Sequence, residues 1–388
     1  MSNAAPAVTN TERFMFVHLL RGLASLLVVW SHLSGFWLLE NGRSSALQDL
    51  WYQLIARPFH VFQNGGHLGV VLFFLISGYI ITHTSLRESR REFAIKRTMR
   101  IFPPLAIATV VAAVLLGVAA VTGTRLIGTN SGTPLEWVAS LFLLDGFISD
   151  ARIMDVTWTL VIELLFYTIT LITMGLTRRS PVSATWVMTA VWLAVFVAST
   201  SLPFVSATIN SALPVYLAFL LAGRAIYLWH SGRAGALSAA VLTSSHLVVY
   251  MVFTETLSPG FLLAPGGWVG LEPLVTYAYA LLIFLGCLVW APSRLWAPFR
   301  VLGDISYSLY LLHLPVGITV LNLLDLLGVP ETINTLIAIA VSLVVAYAMY
   351  RLVETPSQRF ARRLISRPQH GSPAGEPPAS PAPKPTAT

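Results

Sequence analysis

Long apolar runs recur along this chain, and they decide the solvent in which it folds. A helix crosses the hydrocarbon core of a bilayer in about 20 residues. On that ruler, candidate spans fall near 14–38, 67–86, 101–122, 157–176, 182–200, 206–229, 236–254, 273–291, 303–326 and 332–352. Only 11% of the residues are charged and 55% are hydrophobic, whereas a soluble domain carries roughly 25% charge. Lipid offers no hydrogen bonds, so each run must satisfy its own backbone, and a helix does so. The expected fold is an all-α polytopic membrane protein of about ten transmembrane helices. The stretch "EWVASLFLLDGF" (136–147) is too short to cross and reads as re-entrant or interfacial.

Charge orients the bundle. Basic residues favour the cytoplasmic side of a span. With both termini cytoplasmic, Arg87, Arg90, Arg91, Lys96, Arg97 and Arg100 share one cytoplasmic loop, and Arg178, Arg179, Arg233, Arg294, Arg300, Arg359, Arg362, Arg363 and Arg367 join that side. Arg43, Arg57, Arg125 and Arg152 fall on the other. Counting 136–147 as a span would move Arg178 and Arg179 outside, so the rule favours ten spans over eleven. The net charge of +7 clusters at the ends of apolar segments, which argues against a nucleic-acid surface. The single cysteine, Cys287, excludes an intramolecular disulfide and a cysteine-rich metal site, and no metal is expected. Residues 1–13 form a polar cytoplasmic segment without a compact signal peptide. The Pro- and Ser-rich stretch 364–388 is expected to be disordered. The membrane domain lies between them, over 14–363.

Ionisable and polar residues inside the spans are the candidates for chemistry. In "RGLASLLVVWSHL", Arg21 and His32 are almost three helical turns apart, so they share a face about 16 Å apart along the axis. They mark the two ends of a polar passage, or else a snorkelling arginine and a histidine bonded to a neighbouring helix. In "TWTLVIELLFY", Thr159, Glu163 and Tyr167 line one face. There Glu163 is suited to orienting a histidine, stabilising imidazolium, or joining two helices. Ser306, Tyr310 and His313 in "GDISYSLYLLHLP" make a polar stripe at i, i+4 and i+7, the pattern of a lined cavity or of interhelical hydrogen bonds. Arg97 and Arg100 lie together at the start of a helix with Pro103 and Pro104 following. The arginine pair is either a topology signal or a phosphate clamp. There is no GxxxxGK[ST], HExxH or GxSxG motif.

Six stretches in order resemble acyltransferase family 3, the integral membrane acyltransferases. They are Arg21 followed by His32 (R-x10-H), "GHLGVVLFFLISGYII" (66–81), the RxxR pair Arg97 and Arg100, "WTLVIELLFY" (158–167), "ISYSLYLLHLP" (305–315) and "RLVETPSQR" (351–359). Where many members have an acid before the paired phenylalanines, this chain has Val71. The resemblance covers roughly 14–363 and implies a stand-alone membrane domain without the fused esterase-like domain of some relatives.

It also implies transfer of an acyl group, commonly acetyl, from cytoplasmic acyl-CoA to a hydroxyl of a carbohydrate, lipid-linked glycan or macrolide-like acceptor in a bacterial cytoplasmic membrane. On that basis Arg97, Arg100 and Arg21 bind the acyl-CoA donor. His32 serves as general base, with a covalent acyl-histidine as the variant. Glu163 orients the ring, and Tyr310 and His313 donate to the developing oxyanion. Two other classes fit ten spans with internal charge. An exporter of a lipid or polysaccharide precursor would be expected to show an internal repeat, and no convincing inverted one is evident. A structural membrane protein would tolerate loss of His32.

Overall fold

The computed structural model describes residues 15–148, 152–201, 207–257, 272–290 and 297–366. The described residues form helices, turns and one isolated bridge, Thr129 to Met154. Helix α1 (Met15–Trp30) runs through a π-helical turn, Ser31–Phe36, into α2 (Trp37–Glu40), and a short α3 (Ala46–Trp51) follows. Next come α4 (Gly66–Ser85), α5 (Arg90–Thr122) and the seven-residue α6 (Pro134–Ser140). The chain continues through α7 (Trp158–Arg179), α8 (Pro181–Ser201), α9 (Ala207–His230), α10 (Ala236–Leu257) and α11 (Glu272–Trp290). It ends with α12 (Ala297–Leu326), α13 (Glu331–Met349), a π-helical turn Tyr350–Glu354 and α14 (Thr355–Ser366).

Among the described residues, six helical segments are long and apolar enough to cross a membrane: Met15–Glu40, Phe62–Ser85, Arg90–Thr122, Asp155–Arg179, Ala297–Leu326 and Glu331–Ser366. The other four expected spans fall on α8 to α11, three of which contribute shorter apolar stretches. The expected tail lies outside the described residues from 367 onward, and residues 364–366 close α14. The N-terminal segment 1–13 also lies outside them.

The helices expose apolar side chains and bury their polar and charged ones among an apolar core. Val110, Val114, Leu237, Leu282 and Val344 lie exposed on outer faces, while Ser306, Ser308, His313, Thr170 and Arg224 are buried. That is the arrangement of a bundle solvated by lipid. Arg224, an intramembrane charge outside the sequence-derived candidates, shows the logic. Its Nε donates to Thr185 Oγ1 at 2.8 Å and its Nη2 to Thr177 Oγ1 at 3.0 Å, tying α9 to α8 and α7. An arginine in an apolar run was the available signal.

Two features set the position of the site. First, α4 and α9 cross with their backbones in contact: a Cβ at Gly78 would sit 1.9 Å from Leu220 O, and one at Gly223 would sit 2.1 Å from Leu75 O. Small residues permit this approach in membranes, where close packing substitutes for hydrophobic drive. Second, α1 and α12 lie side by side and run in the same direction, with contacts that advance together along both helices.

Helix α5 begins earlier than the apolar pattern predicts. Ser89 caps it, its Oγ accepting from Glu92 N at 3.1 Å. It then continues for 33 residues through Pro103 and Pro104. At 1.5 Å per residue that is about 50 Å, well beyond the ~30 Å hydrocarbon core. Arg97 and Arg100 therefore lie inside a helix rather than at its start. The prolines withhold N–H groups from the carbonyls four residues back without ending the helix.

Candidate active site

The site grows from the α1–α12 seam. A Cβ at Gly303 would lie 2.5 Å from His18 O, so only glycine lets the helices meet there. The close approach brings Arg21 Nε to 3.1 Å from Ser306 Oγ, which accepts its hydrogen bond. Farther along, His32 Nδ1 lies 2.9 Å from His313 Nε2, with the rings stacked at 5.1 Å and 26°. Beyond that, Trp37 Nε1 donates to Asn322 Oδ1 at 2.9 Å. Arg21 and His32 thus share a face, and it is the face turned to α12.

His32 sits within the π-helical turn, where one extra residue per turn reaims the side chains. The segment Phe62–Gly65 packs against this turn, and Ser31 Oγ donates to Gln63 O at 2.7 Å. Gln63 (φ 48°) and Asn64 (φ 54°) hold left-handed backbone, a conformation that costs non-glycine residues about 1 kcal/mol or more each. His32 itself is half-buried, whereas His313 is fully enclosed.

An inner cavity of about 1020 Å³, its open mouth included, lies between α1, α4, α7 and α12. Val70, Phe73, Ile80 and Leu160 line its apolar wall; Arg21, Arg100, Ser77, Glu163, Thr159 and Tyr310 supply the polar groups. Glu163 Oε1 accepts from Ser77 Oγ at 2.9 Å and from Tyr167 OH at 2.5 Å. Tyr310 closes the far end. Its OH donates to Val156 O at 3.1 Å and accepts from Thr159 Oγ1 at 2.8 Å. His313 lies about one turn beyond, its ring centroid 5.9 Å from that of Tyr310.

The loop carrying Val156 is itself held in place. Asn130 Nδ2 donates to Arg152 O at 2.7 Å, and Ile153 N donates to Asp145 Oδ2 at 3.0 Å. The Arg152 guanidinium is buried beside this loop, and burial draws its pKa below the usual arginine value against the pull of Asp145 and Asp155.

A second, polar vestibule of about 1050 Å³ adjoins the first, sharing His18, Arg21 and Arg100 with it. Lys96, Arg97, Asp304, Glu354, Gln358 and Arg362 complete its walls. Most of its charges are already engaged. Lys96 Nζ meets Glu88 at 2.9 Å and Glu92 at 2.6 Å. Arg97 Nη2 donates to Thr84 Oγ1 at 2.9 Å, with its guanidinium over the Phe93 and Tyr167 rings at 5.2 and 5.7 Å. Buried Glu354 accepts from Ser308 Oγ at 2.9 Å and Gln358 Nε2 at 3.2 Å. Arg100, at the junction of the two spaces, makes no hydrogen bond or ion pair with any described residue.

The structure brings together Arg21, Arg100, Glu163 and Tyr310 around one cavity, and pairs His32 with His313 beyond it. Three placements bear on the expected roles. His313, not Glu163, meets the His32 ring, because Glu163 bonds instead to Ser77 and Tyr167. Without substrate the Tyr310 hydroxyl donates to Val156 O, and both imidazole nitrogens of His313 have partners. Arg97 and Arg100 are not placed alike: Arg97 bonds to Thr84 and lies over two aromatic rings, while Arg100 makes no hydrogen bond with a described residue. Ser77, Thr84, His18 and Asp304 were not singled out by sequence, and Glu354 was read only as part of a motif. The signal for the acids was a carboxylate next to an apolar or basic run. Val71 is fully buried, which suits its apolar side chain. Among the described residues no group of three His, Cys, Asp or Glu side chains is placed to hold a metal ion.

Comparison with known proteins gives the family. The model of acyltransferase family 3, described as an acyltransferase domain, matches residues 15–351. The chain is 32% identical over 331 residues to exopolysaccharide production protein ExoZ of Rhizobium meliloti (strain 1021), covering 78% of this chain and 95% of the relative. It is 26% identical over 327 residues to nodulation protein 10 of Rhizobium leguminosarum bv. viciae, covering 77% and 84%. No solved structure matches it. The chain belongs to acyltransferase family 3 and is a multi-pass membrane acyltransferase, which removes the exporter and the purely structural protein from consideration.

Proposed function

We propose that this acyltransferase moves an acyl group, acetyl by the family resemblance, from cytoplasmic acyl-CoA to a hydroxyl of a polysaccharide or of its lipid-linked precursor. The reading places about ten spans in a bacterial cytoplasmic membrane with both termini and the vestibule on the cytoplasmic side. The printed name of ExoZ, an exopolysaccharide production protein, favours a carbohydrate acceptor over a macrolide-like one.

The observation that carries the reading is that the two cavities share Arg21 and Arg100 in their walls. Donor phosphates dock in the basic vestibule, where Arg100 has its N–H groups unengaged and charge-assisted contacts are strongest. The pantetheine arm passes Arg21 into the inner cavity toward Tyr310. His32 lies beyond Tyr310 and is half-exposed, within reach of an acceptor arriving from the opposite face. An imidazole takes the hydroxyl proton as the oxygen attacks the thioester carbon. In this reading the Tyr310–Thr159–Val156 contact parts for the thioester to reach the base.

The test is release of free thiol from acetyl-CoA by detergent-purified protein, with and without a panel of oligosaccharide acceptors. Release that needs both an acceptor and His32 is expected. Equal release by His32→Ala would overturn the general-base role. Absence of release from every acyl-CoA, together with no shift in Tm on adding donor, would overturn the choice of donor.

A further inference from the structure

The role assigned to His313 below rests on the reading of His32 as general base. His313 is fully enclosed. Its Nδ1 lies 2.8 Å from Tyr310 O and 3.2 Å from Leu309 O. Carbonyl oxygens only accept, so Nδ1 must carry the hydrogen. A neutral imidazole has one N–H, which leaves His313 Nε2 as a bare lone pair. Among the described residues no carboxylate lies within ion-pairing distance of either ring, so none of them compensates a charge on the resting pair.

That lone pair faces His32 Nδ1 at 2.9 Å. For the contact to be a hydrogen bond, His32 Nδ1 must hold the proton and donate it. His32 Nε2 is then unprotonated and directed away from His313. We propose that His313 is a positioning residue that locks His32 in the Nδ1–H tautomer, with the lock anchored on the backbone of α12. A carboxylate does this in the serine protease triad, where the wrong tautomer costs about 10⁴ in rate. Here a neutral imidazole, itself fixed by two carbonyls, does the same.

The proton balance closes. The acceptor O–H gives its proton to His32 Nε2 as its oxygen bonds to the thioester carbon. Collapse of the adduct breaks the C–S bond, and the leaving sulfur takes the proton back from Nε2. His32 returns to the Nδ1–H form, and His313 accepts its hydrogen bond throughout.

Nitrogen-15 NMR of the full chain labelled at histidine tests the lock directly, with His32→Gln and His313→Gln spectra used to assign the two rings. The expected result is a His32 ring protonated at Nδ1 and bare at Nε2, reverting to Nε2–H in His313→Leu. A wild-type His32 protonated at Nε2, or one unchanged by His313→Leu, would overturn the proposal. Kinetics supply an independent readout. His313→Leu should lower kcat at least 100-fold with the acyl-CoA KM within about twofold, and His313→Gln, whose amide oxygen can accept from Nδ1–H, should recover a tenth or more of kcat. Equal losses in both variants with a matching fall in Tm would reduce His313 to a packing role. If wild type shows the expected tautomer yet releases no thiol from any acyl-CoA, the lock stands and the acyl-CoA reading falls.

Discussion

Arg97 and Arg100 lie about one turn apart on α5 and meet opposite surroundings. Arg97 is buried against the Phe93 and Tyr167 rings and bonded to Thr84, while Arg100 opens into both cavities and makes no hydrogen bond or ion pair with a described residue. In the proposed function the two halves of one sequence motif therefore divide the work, one fastening α5 to its neighbours and the other left to meet the donor phosphates.

This division predicts separable variants. Arg100→Ala should raise the KM for acyl-CoA tenfold or more, about 1.4 kcal/mol of binding, at near-normal Tm. Arg97→Ala should lower stability by about 1–2 kcal/mol, the worth of its stacking and hydrogen bond. Donor titration beside a thermal melt in detergent separates the two, and a reversed pattern would show the assignment to be wrong.

Replacing the base should act on rate alone. His32→Ala is expected to lower kcat by about 10²–10⁴, the usual contribution of general-base catalysis, while the protein remains folded and binds donor with wild-type affinity. Isothermal titration with acyl-CoA alongside the turnover assay checks both halves.

Tyr167→Phe removes one of the two hydroxyls that Glu163 Oε1 accepts from, leaving Ser77. A typical intramolecular hydrogen bond contributes about 0.5–1.5 kcal/mol, so the melting temperature should fall. Glu163→Gln keeps an accepting oxygen but removes a charge from the cavity wall. It should cost less stability than Tyr167→Phe and more activity. The two melts and the two kcat/KM values decide it.

The α4–α9 crossing leaves no room for a side chain. Gly223→Leu would drive its Cβ into Leu75 O, which lies 2.1 Å from that position, and backbone cannot give way as a side-chain tip can. Loss of monodisperse protein on size exclusion is the expected outcome, whereas Gly232→Leu changes a turn with nothing within 4 Å of the added Cβ. That second variant should fold with a penalty of about 1–2 kcal/mol from its left-handed φ alone.

Much of the architecture was legible because it is local. Apolar runs of the right length gave the helices, and turn-by-turn spacing placed Arg21 and His32 on one face before any partner was known. The amphipathic pattern weakened where charge and helix overlapped. The basic run 87–100 reads as a loop by composition, yet Ser89 caps a helix through it and three extra turns of α5 lie beyond the apolar segment.

The sequence by itself determined that this chain folds in lipid, that its helices turn polar faces inward, and that Arg21, His32, Glu163 and His313 were among the ionisable groups to be sheltered there. All of this follows from the cost of exposing a charge or an unpaired peptide group to hydrocarbon, which each segment bears on its own. Only the tertiary structure decided who meets whom. His32 and His313 are 281 residues apart, and a helix face carries no label for the helix it will meet. Whether His32 faced Glu163 or His313 was settled by the close approach at Gly303, by the π-helical turn that reaims α1, and by the parallel run of α1 and α12.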